Sequence, residues 1–227
     1  MDLSTDTESK KLYKILKSKM DELTGKITME LGGVNVKILN SDIVGSVIEE
    51  WLEKWAAKNN IALESPGSSQ EFPDYLIGKD EAYLEVKAWN CKSSPAFDIA
   101  NFNSYCDSLE TNPERIYSDY LIFGYSLTNG NLKIENIYLK KVWEITRKMG
   151  NNKFPLNVQQ KKGQIYNIRP SAFHSKRKGN IESFKTRDDF VKALYDTKDK
   201  YIGNNKVGKK QLKKFKLALK KYESKKP

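Results

Sequence analysis

The sequence predicts an α/β fold, a sheet flanked by helices with a basic C-terminal extension. Two early segments place apolar residues at helical spacing. A central pair of segments alternates as strands around a turn. The positive charge is gathered in the last third of the chain. At 227 residues the chain is long enough to bury a full core, and such a length is usually one domain.

From the N-terminus, Leu12, Ile15, Leu16, Met20 and Leu23 fall on one helical face, so residues 9–23 are expected to form a helix that Gly25 ends. Residues 27–31 and 34–38 alternate around Gly32-Gly33 and read as a hairpin. Ser41 or Asp42 can cap the next helix, which runs to about Asn59 with Val44, Val47, Ile48, Trp51, Leu52 and Trp55 as its apolar stripe. Ile61-Ala62-Leu63 is expected to open the sheet, and Ser65-Pro66-Gly67-Ser68-Ser69 to follow as a loop.

Tyr75-Leu76-Ile77 and residues 82–88 read as strands joined by the turn Gly78-Lys79-Asp80-Glu81. A helix is expected over 98–109, with Phe97, Tyr105 and Leu109 inward. Residues 120–127, YLIFGYSL, form a strong strand, Asn129-Gly130 a turn, and 132–143 a long strand running into a short helix or turn. Residues 184–195 suit a helix with Phe190, Leu194 and Val191 inward. Leu212, Phe215, Leu219 and Tyr222 mark the packing face of a Lys-rich terminal helix.

Composition excludes several functions. No apolar run approaches the roughly 20 residues of a membrane span. The start, MDLSTDTESKK, is acidic and polar, unlike a signal peptide. Cys91 and Cys106 lack metal-ligand spacing and fit reduced thiols of a cytoplasmic protein. His174 is the sole histidine, which argues against His-dependent zinc or triad chemistry.

The net charge is +11, and it is unevenly spread. Residues 151–180 carry five Lys and two Arg with no acid, and 207–227 carry nine Lys and one Glu, so the remaining residues are net acidic. A polyanion is the natural partner of those two stretches, because Lys and Arg contacts to phosphate dominate nucleic-acid affinity.

The central hairpin carries the chemistry. Pro73-Asp74 precedes its first strand, and Glu85-Val86-Lys87 lies in its second. Side chains two apart in a strand share a face, so Glu85 and Lys87 point the same way, with Asp74 beside them if the strands pair. A cation such as Mg2+ takes hard oxygen ligands, which Asp74, Glu85 and the carbonyl of Val86 can supply. Lys87 is then placed to orient a water and to offset charge on a phosphate.

These residues resemble the PD-(D/E)xK nuclease superfamily. The resemblance implies a restriction-endonuclease-like core in which a mixed central sheet is flanked by helices. It implies a single nuclease domain over 1–227, with a catalytic core at about 41–145 and a basic DNA-contacting part at about 146–227. It also implies an acid from the preceding helix in the pattern G-x-x-x-E, which Gly45 and Glu49 match, Glu50 being the alternative. The segment GQIYNIRPS, 163–171, is similar to segments of type II restriction endonucleases, and Tyr166, Asn167 and Arg169 suit base edges and phosphate. Asn90, Ser93, Asn103, Lys176, Arg177 and Lys178 are further candidate DNA contacts.

The resemblance implies Mg2+ as cofactor, with Mn2+ substituting, and double-stranded DNA as substrate. It also implies a homodimer if the recognition site is palindromic, and a companion DNA methyltransferase in a bacterial or archaeal cytoplasm. Three functions fit: a type II restriction endonuclease, a Holliday-junction resolvase or repair nuclease of the same superfamily, and a non-catalytic nucleic-acid-binding protein.

Overall fold

A computed structural model describes residues 7–66, 72–78, 82–150, 153–175, 182–203 and 206–225. The chain divides into two compact units, one of residues 1–95 with 119–140 and one of 96–118 with 141–227.

In the first unit, α1 spans Glu8–Ser18 and buries Leu12 and Leu16; the Thr7 side chain accepts from the Lys10 amide at its start. The helix stops short of Leu23. A 3-10 turn at Met20–Glu22 follows, and Gly25, expected as a helix stop, lies inside strand β1, Thr24–Lys26, opposite Leu132. Strands β2, Thr28–Leu31, and β3, Val34–Lys37, form the expected hairpin. Gly32 and Gly33 both have positive φ, 57° and 77°, as a two-residue turn that follows strand twist requires.

Helix α2, Val44–Lys58, buries Val44, Ile48, Leu52 and Ala56. Its start differs from expectation. Neither Ser41 nor Asp42 caps it. A 3-10 turn at Ser41–Ile43 comes first, and the Asn40 side chain caps that turn by accepting from the Asp42 amide. Strand β4 is Leu63–Glu64, β5 is Tyr75–Ile77 and β6 is Ala82–Asn90. Strands β8, Asp119–Thr128, and β9, Asn131–Lys141, complete a six-stranded sheet of order β1-β9-β8-β6-β5-β4, where β7 denotes Ala100–Asn101. The sheet is mixed, because β6 runs parallel to β8 and antiparallel to β5. Residues 120–125 of β8 are buried without a break, as a strand covered on both faces must be.

The second unit contains α3, Phe102–Thr111, which starts four residues later than expected and is capped by Asn101. It also holds the short α4, Val142–Ile145, and strands β10, Val158–Lys161, and β11, Gln164–Ile168, which pair in the order β10-β11-β7. Helix α5 is Arg187–Ile202, with Phe190, Val191 and Leu194 buried as expected, and α6 is Val207–Glu223, with Phe215 and Leu219 buried. The Asp199 carboxylate accepts from the amides of Gly208 and Lys209 and so caps α6. Position 208 has to be glycine in this packing, since a Cβ there would stand 2.2 Å from the Tyr195 carbonyl oxygen. No helix among the described residues is long and apolar enough to cross a membrane. Cys91 is exposed, Cys106 is buried, and both are free thiols.

Candidate active site

Two adjacent strands build the site. The last paired positions of β5 and β6 are Tyr75 and Leu84, so Asp74 lies one residue beyond, opposite Glu85. The Asp74 carboxylate accepts a 2.7 Å hydrogen bond from the Val86 amide, which fixes it against β6. The Lys87 ammonium donates to the Glu85 carboxylate at 2.7 Å, as the two-residue strand period anticipates. Glu85 is buried and Lys87 mostly so. In an extended strand the amide and carbonyl of one residue face the same edge, so the Val86 carbonyl points toward the edge that holds Asp74.

The opposite face of these strands belongs to the core. Tyr75, Ile77, Leu84 and Val86 pack in one cluster with Ile48 and Leu52 of α2. Glu49 of that helix is held by an additional contact: the Tyr75 hydroxyl donates to the Glu49 backbone carbonyl at 2.8 Å. Burial, and then the carboxylates of Glu53, Glu49 and Asp74, push the Tyr75 phenol up to about 12, so it stays protonated and able to donate.

The electrostatics tie Glu49 to the strand residues. Its carboxyl is raised from 4.5 to about 7, first by burial and then by Asp74; Lys87 opposes this and Glu85 adds to it. Glu50 is exposed. Burial works against the Lys87 ammonium, but Glu85 and Asp74 outweigh it and hold its pKa above the ordinary lysine value. Lys87 therefore carries its charge at neutral pH in this arrangement.

The donor set fits a hard divalent cation. Asp74, Glu85 and Glu49 share one amine, Lys87, and the Glu49 carboxyl is raised first by burial and then by the neighbouring Asp74 carboxylate. Among the described residues no three acidic, histidine or cysteine side chains converge tightly enough to hold an ion by themselves. Mg2+ is usually held by one or two carboxylates, with waters and substrate phosphate filling the rest.

The other candidates are dispersed. The Asn90 side chain accepts from the Lys92 amide and the Ser93 hydroxyl donates to the Asn90 carbonyl, so both serve the turn after β6. Asn103 accepts from the buried Lys198 ammonium at 2.6 Å. Arg169 is held by the Asp98 carboxylate and the Ala96 carbonyl. Tyr166 is exposed, and the Asn167 amide donates to Gln159 across the strands. Lys176, Arg177 and Lys178 lie outside the described residues.

Two features are not visible in the sequence pattern. Tyr75 looks like any buried strand aromatic, and nothing in its neighbours signals a bond to residue 49. The hairpin of β10 and β11 turns at Lys162-Gly163, with φ 50° and 77°, and exposes Gln159, Gln160, Lys161 and Gln164 beside Tyr166. The run QQKKGQ was its available signal.

A mixed sheet with helices, carrying two carboxylates and a lysine on adjacent strands, is the arrangement expected of the restriction-endonuclease class. A model of the family described as NgoBV restriction endonuclease matches residues 6–226. The type II restriction enzyme NlaIV of Neisseria lactamica is 41% identical over 177 residues, covering 76% of this chain and 72% of that protein. The type II restriction enzyme NgoBV of Neisseria gonorrhoeae is 38% identical over 144 residues, covering 61% of this chain and 79% of that protein. A solved structure of NlaIV restriction endonuclease superposes with a TM-score of 0.85 at 35% identity, covering 96% of this chain and 91% of that one. The chain belongs to the NgoBV restriction endonuclease family; it is a type II restriction endonuclease.

Proposed function

We propose that Asp74, Glu85, the Val86 carbonyl and Glu49 hold Mg2+, for which Mn2+ substitutes, and that Lys87 completes the catalytic set. The observation that carries this is the convergence on three residues of β6: Asp74 on the Val86 amide and Lys87 on Glu85. When bound, the divalent cation polarises the phosphodiester and lowers the pKa of a water. Asp74, pinned by a main-chain amide, and Glu85, pinned by an ammonium, need no reorganisation before substrate arrives. Lys87 remains charged, orients the attacking water and offsets the negative charge that builds on the phosphate. The water oxygen bonds to phosphorus and the bond to the 3′ oxygen breaks. That oxygen takes a proton, leaving a 3′-hydroxyl and a 5′-phosphate.

The substrate is double-stranded DNA, cut at a defined sequence. The basic part of the chain, about 146–227, supplies phosphate contacts, including Lys176, Arg177 and Lys178. Tyr166, Asn167 and Arg169 act as DNA-reading residues, joined by Gln159 and Gln164 of the same ribbon. Amide side chains bond purine edges in the major groove, which is wide enough for a two-stranded ribbon. Asn90, Ser93 and Asn103 are secondary candidates, each now serving a contact within the protein. A homodimer follows if the recognition site is palindromic, and a companion methyltransferase protects that site in the bacterial or archaeal cytoplasm.

Digestion of plasmid DNA with Mg2+ tests this reading. Discrete fragments with ligatable 5′-phosphate ends are the expected result. Retarded but uncut DNA, or cutting confined to branched substrates, would contradict it.

A further inference from the structure

Lys198 of α5 is 8% exposed, and its ammonium donates to the side-chain oxygen of Asn103 in α3 at 2.6 Å. The Asp107 carboxylate stands further off, at 3.7 Å, and is mostly in solvent. The Phe102 ring lies beneath the ammonium at 5.9 Å. A buried cation is costly unless an anion is close, so this arrangement is a weak source of stability.

The contact decides which way Asn103 points. An ammonium can only donate, so the atom it meets is the amide oxygen and not the amide nitrogen. Asn103 is thereby held in one of its two flips, with its oxygen toward Lys198 and its NH2 group turned away. That NH2 group donates to nothing among the described residues, and residue 103 is half-buried. Its place in the second unit is between two parts that the reading above assigns to DNA. Two residues before it, Asn101 of β7 pairs with Asn167 of β11. One turn after it, on the same helical face, Asp107 accepts from Gln211 of the basic helix α6.

We propose that Asn103 binds a hydrogen-bond acceptor of DNA through its NH2 group, and that Lys198 is a positioning residue that holds the amide in the donating flip; here the proposal rests on the nuclease reading above. The acceptor is a phosphate oxygen or the N7 edge of a purine. Both take an N–H donor, and neither bonds the oxygen of an amide.

Affinity of the full chain for cognate and random duplex in Ca2+, read beside the melting temperature, tests the proposal. Asn103→Asp keeps an oxygen for Lys198 but replaces the donating group with an acceptor. It should melt no lower than wild type, yet bind the cognate duplex at least about tenfold more weakly. Ser104→Asp places the same charge on the neighbouring exposed residue and should lose less, which separates a lost contact from general repulsion. Asn103→Ala adds no charge and should also lose about tenfold. An equal loss on both duplexes identifies the acceptor as phosphate, and a larger loss on the cognate site identifies it as a base. Lys198→Met keeps the apolar stem and releases the amide to flip. It should lose several-fold on its own and nothing further when combined with Asn103→Ala, because Lys198 acts through residue 103. Wild-type affinity in folded Asn103→Asp or Asn103→Ala would overturn the proposal, as would a Ser104→Asp loss equal to that of Asn103→Asp. No loss from Lys198→Met, or the same loss in both backgrounds, would overturn it equally. Binding is read without cutting, so failure of the nuclease reading would appear in the plasmid digest and not in these comparisons.

Discussion

The Tyr75 hydroxyl and the Glu49 backbone carbonyl are joined by a 2.8 Å hydrogen bond that fastens α2 to the strand carrying Asp74. It links the one candidate acid that comes from a helix to those that come from strands. Tyr75→Phe keeps the ring in the core and removes only this bond, a loss of about 1 kcal/mol. The expected outcome is a several-fold rise in the Mg2+ concentration for half-maximal cutting, with the rate at saturating Mg2+ nearly restored. An unchanged metal dependence would show that the bond serves packing alone.

Glu49 is expected to give the metal-free protein a pH dependence. Its folded-state pKa of about 7 lies above the ordinary 4.5, so between those values the folded state holds a proton that the unfolded state has shed. Stability contributed by this group therefore falls as pH rises from about 4.5 to about 7, and is flat above. Thermal melts in chelator should show that slope, and Glu49→Gln should flatten it. Divalent-cation affinity should run the other way, rising toward pH 7 as the proton leaves. Equal slopes in wild type and Glu49→Gln would show that the Glu49 carboxyl is not raised in the folded protein.

Arg169 is expected to act in reading. If it contacts a base, Arg169→Ala should lose roughly 1–3 kcal/mol more on the cognate site than on random duplex. Asp98 now holds its guanidinium, so Asp98→Ala should strengthen binding to random DNA while reducing the preference for the cognate site. Equal losses on both DNAs for Arg169→Ala would make it a phosphate contact.

The basic helix α6 is expected to contribute affinity without preference. Lys213 and Lys216 are exposed, and Lys214 pairs with Glu110 at 2.7 Å. Replacing all three with Ala should weaken binding to every duplex. It should also flatten the slope of log K against log salt by up to about 0.9 for each lost phosphate contact. Normal binding at every salt concentration would place the DNA contacts elsewhere.

What the sequence disclosed follows from range. Glu85 and Lys87 share a face because they are two apart in one strand, and Asp74 lies beside them because a hairpin pairs neighbours; both are local facts. The beginning of α3 departs from expectation for a non-local reason. The helix is expected to begin at Asp98, but Asp98 holds Arg169, and Ala100–Asn101 pairs with β11 before Asn101 caps the helix. Gly25 reads as a helix stop, yet its place is set by pairing with Leu132, more than a hundred residues away. Alternation over 27–38 disclosed a hairpin, but periodicity cannot say whether its apolar face turns inward or, as here, outward. Tyr75 was legible as core and silent as a partner of Glu49, because a hydroxyl's acceptor depends on what packs above it.

Asp74 and Glu85 are expected to serve the cutting of DNA and not its binding. The direct measurement pairs cleavage of a cognate duplex in Mg2+ with affinity for the same duplex in Ca2+, for wild type, Asp74→Ala, Glu85→Ala and Lys87→Ala. All three variants should lose cutting by several orders of magnitude. The two carboxylate variants should keep most of their affinity, since each removes a charge that repels phosphate. Wild-type cutting by any of the three, or an affinity loss as large as the loss of cutting in Asp74→Ala and Glu85→Ala, would contradict the account.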